Sequence, residues 1–226
     1  MFDYSIWDYW ADKYEKLWVQ KYSLGPTRRE VISLIKRMIS GKDRSYRILD
    51  VGCGTGQLLR EIQKELTPKY DIQCKGIDIS QKMIETAQMH DLETEYEVSS
   101  IEDYGDDSYD IVVCSHSFPY YMDKTLVLQK LHRLLNDKGC LILVQASQNN
   151  LYDHIIMSFV KMTTSKAQYP SVGKTLEMLR PGFPDVQVHK IKERFYMPSI
   201  CMFVCRKGNR FNGVGSYENF TGKTQT

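Results

Sequence analysis

The chain has 226 residues, 42% hydrophobic and 12% aromatic, enough for one domain with a substantial core. Its net charge is +2 with acids and bases mixed throughout, so it lacks the basic stripe of a nucleic-acid binder. No apolar run reaches the ~20 residues of a membrane-spanning helix, and the N-terminus lacks a signal peptide's basic start and apolar stretch; the expected setting is the cytoplasm.

The first 22 residues hold eight aromatics, and Trp7, Trp10, Tyr14, Leu17 and Trp18 follow helical spacing. So many large rings on one short helix suit either core packing or a lid over a ligand. Gly25-Pro26 is expected to break this element. Val31, Ile32, Leu34, Ile35, Met38 and Ile39 then give an amphipathic helix ending near Gly41. From there strands and helices alternate. Strands are expected at 46–51, 72–77, 95–98, 110–114 and 140–144, and helices at 57–66, from the Ser80 cap onward, and at 126–135. Asn136-Asp137-Lys138-Gly139 is expected to stop the last of these. Helices near 152–163 and 172–179 follow, then a final antiparallel pair at 186–191 and 200–205.

Strands without polar alternation are buried on both faces, as in a parallel sheet. The pattern predicts an α/β fold: a doubly wound, mostly parallel seven-stranded sheet with helices on both faces. One domain is expected, divided into a helical N-terminal lid (1–30), a ligand-binding core (31–146), a helical substrate-side insert after strand five (147–183), the final strand pair (184–206) and a flexible tail (207–226). Cys53, Cys74, Cys114, Cys140, Cys201 and Cys205 mostly lie in or beside apolar runs and read as reduced core thiols, so no metal site is expected.

Asp50, Gly52, Gly54 and Gly56 stand at alternate positions where the first strand ends. Glycines there let the backbone bend sharply and bring a ligand against the main chain. The N–H groups of the following helix favour a polar or anionic ligand group. A dinucleotide site wants G-x-G-x-x-G, but here no extra residue precedes the last glycine. Asp50 suits an ammonium group better than a pyrophosphate. Asp78, 22 residues after Gly56, closes the second strand and can accept both hydroxyls of a ribose. Together these features describe an adenosine attached to an amino acid, S-adenosylmethionine.

At this point residues 45–146 resemble the class I S-adenosylmethionine-dependent methyltransferases. The resemblance rests on the Asp50 to Gly56 turn, on Gly76-Ile77-Asp78-Ile79-Ser80 and on Tyr109-Asp110-Ile111-Val112-Val113-Cys114-Ser115-His116. Leu131-His132-Arg133-Leu134-Leu135, leading through Lys138-Gly139 into Leu141-Ile142-Leu143-Val144, reinforces it. It implies that Asp50, Gly52, Cys53, Gly54 and Gly56 hold the methionine part and Asp78 the ribose. Ile79 and Met83 would border the adenine. Ser100 would bond its amino group where the family often has an aspartate, and Ile101 would offer a backbone N–H. Ser115 and His116 would lie under the cofactor or face the substrate, with the demethylated product S-adenosylhomocysteine leaving the same site.

Methyl transfer needs mainly a nucleophile held in line with the departing sulfur, in a site that excludes water. His116 is the first candidate for a base or orienting group, and Tyr14, Tyr120, Tyr121, Tyr152 and His154 are candidates to line the acceptor pocket. An aromatic cup suits a small planar molecule or an amine. The stretch from Ser115 to Met157 also resembles amine N-methyltransferases related to histamine methylation. The expected function is methylation of a nitrogen or oxygen of a small metabolite by a monomer or homodimer, with no nucleic-acid or membrane partner. The alternatives are a protein or peptide methyltransferase, and a non-catalytic S-adenosylmethionine-binding partner subunit.

Overall fold

The computed structural model describes residues 7–8, 11–16, 20–41, 44–105, 107–147, 167–191 and 200–208. The expected helix near 152–163, most of the expected tail, and Tyr152 and His154 lie outside the described residues. Within them the elements are α1 (Gly25–Met38), β1 (Ser45–Val51), α2 (Gln57–Leu66), β2 (Asp71–Asp78), α3 (Gln81–His90) and β3 (Glu95–Val98). β4 (Tyr109–Ser115), α4 (Lys124–Arg133), β5 (Leu135–Ala146), α5 (Val172–Leu179), β6 (Asp185–Ile191) and β7 (Ile200–Arg206) follow.

The seven strands form one sheet in the order β3-β2-β1-β4-β5-β7-β6, parallel except where β7 runs against β5 and β6. Alternation along each central strand sends successive side chains to opposite faces. Ile48, Ile111, Val113, Ile142 and Val204 join Val31, Ile35, Leu59, Ile62 and Ile84 from α1, α2 and α3 on one face. Leu49, Val112, Leu141 and Phe203 join Val127, Leu128 and Leu131 of α4 and Leu179 of α5 on the other. Each such aliphatic side chain taken fully from water contributes about 1.5–3 kcal/mol, which is why the unbroken apolar runs become central strands.

Two local expectations are corrected. Gly25-Pro26 does not break the chain between elements: a π-helical turn, Gln20–Leu24, runs directly into α1, with Pro26 in its first turn. Proline's fixed φ suits that position. Asn136 to Gly139 do not form a free turn: α4 ends at Arg133 and β5 already starts at Leu135. The register against β4 shifts between Tyr109 and Ile111, so the polar residues occupy an irregularity in the strand, where Asn136 Nδ2 donates to Asp110 Oδ1 (2.6 Å).

β1 has β2 on one side and β4 on the other, and the chain leaves these neighbours in different directions. Ligands of open α/β sheets bind in the crevice this reversal opens beyond the carboxyl ends. Gly76 lies beside that region for a packing reason. It is level with Asp50 on β1 and with Tyr96 on β3, and a Cβ there would meet Tyr96 Cδ1 at 2.8 Å and Cys53 Sγ at 2.9 Å. Gly76→Ala is expected to destabilise the protein by about 1–3 kcal/mol through overpacking. Urea unfolding with an unchanged midpoint would count against this account.

Candidate cofactor and acceptor site

The chain turns sharply after β1. Gly52, Gly54 and Gly56 have φ of +75°, +55° and +76°, a region that strains side-chain-bearing residues. The N–H groups of Gly52 and Cys53 donate to Ile77 O at 2.8 and 3.0 Å, tying the turn to β2. Asp78 completes the tie: Oδ2 accepts from Gly54 N at 2.9 Å and Oδ1 from Ser80 N at 3.0 Å. Ser80 Oγ in turn caps α3 by accepting from Met83 N at 3.2 Å. A carboxylate offers about four lone-pair sites, so the Asp78 carboxylate keeps acceptor capacity for ligand hydroxyls.

Asp50 lies behind this turn, 3% exposed, and its Oδ1 has no hydrogen-bond partner. Burial, then the charge of Asp78, pushes its pKa up to about 7. Desolvation also raises Asp78, opposed by the N–H donors of Ser80, Gly54 and Ile79. Buried carboxylates without a cation are costly. This pair therefore fits a ligand that brings a positive group.

A cavity of about 490 Å³ opens beyond the strand ends. Gly52, Gly54, Ile77, Asp78, Ile79 and Met83 line one end, with Ser99 to Asp103 beside them. Ser115, at the end of β4, and His116 and Ser117 just beyond it also line it. Ser117 Oγ donates to Val51 O at 2.8 Å, and its Cβ would lie 2.5 Å from a Cβ on Gly52. Glycine at 52 thus lets the β4 loop close against the β1 turn. Most of the remaining lining is aromatic: Trp7, Tyr120 and Tyr121, with Trp7 edge-on to Tyr120 at 5.1 Å between ring centres, and Tyr14, whose ring lies beside Gly54. Burial, helped by Tyr120 and Asp78, raises the Tyr14 phenol far above its usual range.

The N-terminal segment that carries Trp7 and Tyr14 is tied to the cofactor-side elements by polar contacts. Ser80 Oγ donates to Asp8 (2.5 Å), Thr55 Oγ1 donates to Glu15 (2.8 Å), and Arg60 pairs with Glu15 (2.6 Å). Arg28, on α1, bonds Glu61 at 2.9 Å and Gln20 at 2.7 Å. His116 has φ +62°, the one positive value among the described non-glycine residues. Its Nε2 lies 3.1 Å from Thr27 Oγ1. Desolvation, with the nearby Arg28 guanidinium, pushes the imidazole pKa down to about 4, so it is neutral at pH 7.

Of the residues singled out in the sequence, Gly52, Gly54, Asp78, Ile79, Met83, Ser100, Ile101, Ser115, His116, Tyr14, Tyr120 and Tyr121 line this cavity. Asp50, Cys53 and Gly56 do not. The Cys53 side chain packs in the core, and Gly56 lies beneath the Tyr96 ring. Ser100 is on the lining, but its hydroxyl donates to Asp103 Oδ2 (2.7 Å) and accepts from Asp103 N (3.1 Å). Sequence reasoning missed Thr27, Ser117 and the Glu15, Thr55 and Arg60 cluster. None of these carries a spacing signal, because each contact joins distant parts of the chain.

The sheet order with its antiparallel last strand, and a cradle shaped for an amino-acid nucleoside, place the fold among the class I S-adenosylmethionine-dependent methyltransferases. Over residues 42–196 the sequence matches the family model described as a methyltransferase domain, and the chain belongs to that family. The cofactor of the class is S-adenosylmethionine, and the unpartnered buried Asp50 fits its ammonium group. A ubiquinone biosynthesis O-methyltransferase of Xanthomonas oryzae is 30% identical over 129 residues, 54% of this chain and 50% of the relative. The chain thus spans about half the length of the curated relatives it matches. Among solved structures, a Thermotoga maritima protein described as a possible histamine N-methyltransferase superposes with a TM-score of 0.69 at 15% identity, covering 91% of this chain and 100% of that one. Magnesium protoporphyrin IX methyltransferase of Synechocystis, solved with S-adenosylhomocysteine bound, gives 0.66 at 20% identity, covering 89% and 98%. These two likenesses concern the fold. Among the described residues no helix is long and apolar enough to cross a membrane.

Because burial lifts the Asp50 pKa to about 7 and an ammonium ligand favours its ionised form, binding should release a proton below that pH. Cofactor affinity should therefore fall by up to tenfold per pH unit below about 7 and level off above it. Calorimetry across pH 5.5–8 checks this; Asp50→Asn should bind more weakly with a flat profile.

Proposed function

We propose that this chain transfers a methyl group from S-adenosylmethionine to an oxygen or nitrogen of a small, planar or amine-bearing acceptor. One observation carries the reading: the same cavity is lined by Gly52, Gly54 and Asp78 and by Trp7, Tyr14, Tyr120, Tyr121 and His116. When bound, the cofactor supplies an electrophilic methyl group on a positively charged sulfur. Asp78 takes the ribose hydroxyls, and Asp50, buried behind the Gly52 to Gly54 turn, acts on the ammonium as a nearby charge and not by direct contact. Ile79, Met83 and Ile101 flank the base, and the Asp103 carboxylate, at the lining, is a stronger acceptor for its amino group than the Ser100 hydroxyl. The aromatic wall excludes water and offers ring faces to a planar or cationic acceptor. Asp78, Glu102 and Asp103 lie on the lining, and no lysine or arginine does among the described residues, which favours a neutral or cationic acceptor over an anionic one.

Segment 1–30 is the lid in this reading. Its ties through Asp8, Glu15 and Arg28 hold the aromatic wall over the site, and positioning there does most of the catalytic work.

The cofactor end and the acceptor end give separable tests. Asp78→Ala removes charge-assisted hydrogen bonds and should weaken S-adenosylhomocysteine binding about tenfold to a hundredfold; thermal melting followed in parallel shows whether the turn survives. His116→Ala should lower turnover by about a hundredfold while product affinity holds. The acceptor class is tested by offering phenols, nitrogen heterocycles and amines with methyl-labelled cofactor. Label appearing only in protein, or in nothing while the cofactor binds, would overturn the small-acceptor reading.

A further inference from the structure

Thr27 and His116 are 89 positions apart in sequence, yet their side chains meet at 3.1 Å between Oγ1 and Nε2. Thr27 is 1% exposed, in the first turn of α1. Two other buried threonines within helices donate to the carbonyl four residues back: Thr86 to Lys82 O (2.8 Å) and Thr175 to Ser171 O (2.9 Å). The Thr27 hydroxyl instead turns to His116. A hydroxyl has a single proton, and leaving that proton unshared inside the protein costs more than leaving a lone pair unused. The favoured arrangement therefore has Thr27 donating to a bare Nε2.

The histidine end is equally constrained. Its backbone N donates to Val144 O at 2.7 Å and its φ is left-handed. Such a conformation persists where the surroundings over-determine it, and it is concentrated at functional sites. Arg28, next to Thr27, is pinned by Glu61 and Gln20, so the first turn of α1 is itself held in place.

We propose that Thr27 is a positioning residue for the acceptor. By donating to Nε2 it fixes His116 as the neutral tautomer with its proton on Nδ1. His116 then meets the acceptor as a hydrogen-bond donor and not as the base. The acceptor class follows: one that reaches the site uncharged with its lone pair already available, such as a heteroaromatic nitrogen, in preference to a protonated alkylamine that must first lose a proton. This deepens the proposed function, on which the acceptor part rests; the tautomer part stands on geometry alone.

The test uses two readouts. Nitrogen NMR of the histidine-labelled full chain, with His116→Gln to assign the signal, should show Nδ1 protonated and Nε2 bare. A proton on Nε2 in the unaltered protein overturns the proposal whether or not methyl transfer is ever found. Thr27→Val should lose the fixed tautomer and Thr27→Ser should keep it; an unchanged tautomer in folded Thr27→Val also overturns it. With an acceptor in hand, Thr27→Val should cut turnover about tenfold, leave S-adenosylhomocysteine affinity unchanged, and be rescued by Thr27→Ser. Turnover equal to the parent's would refute the positioning role.

Discussion

Two carboxylates, Asp50 and Asp78, sit at or near the carboxyl ends of neighbouring parallel strands, and keeping them there is the constraint on which the site depends. Asp78 is made tolerable by the backbone: Gly54 and Ser80 each give it an N–H. Left-handed glycines at alternate positions of the turn carry the Gly54 amide to Asp78, so the turn and the acid support each other. Asp50 is treated differently. One of its oxygens has no partner in the protein, and burial holds its affinity for a proton high. One acid shapes the cradle; the other is left with an unmet need that a positively charged ligand satisfies.

That division explains what could be seen in the chain itself. Gly52, Gly54 and Asp78 were legible because strand, turn and helix follow one another within about thirty residues, where spacing maps directly onto geometry. The central strands were legible because unbroken apolar runs have no polar face to expose. β7 was legible for the same reason, whereas the mostly exposed β6 was read only as its neighbour, and β7 does run antiparallel to both strands beside it. Less was visible where tertiary contact decides. Gly25-Pro26 reads as a break, yet the preceding π-helical turn carries the chain straight through it. Asn136 to Gly139 read as a turn, yet Asp110 of β4 takes the Asn136 amide and draws the segment into the sheet. Cys53 stands inside the glycine motif, yet its side chain turns to the core.

The acceptor side shows the same split. His116 was selected by its place after β4, and it does line the cavity. Its partner, Thr27, sits among ordinary helix-start residues with nothing to mark it. The aromatic N-terminus left core packing and a lid as alternatives. Trp7 and Tyr14 line the cavity, and the ties from Asp8 to Ser80 and from Glu15 to Thr55 and Arg60 join their segment to the cradle. Those ties end on the cap of α3 and around the start of α2, the two elements that carry the cofactor loops. Binding at the cradle and ordering of the aromatic wall thus share the same supports.

The Tyr96 ring, reaching across from the edge strand β3, occupies the space that side chains at both Gly56 and Gly76 would need. Position 56 is held by its backbone angle as well, but position 76 is held by this ring alongside Cys53. Residue 76 therefore cannot drift on its own. A larger residue at 76 needs room made at both 96 and 53, together with it or beforehand. An edge strand only four residues long thus helps set the order in which substitutions near the cofactor cradle can accumulate.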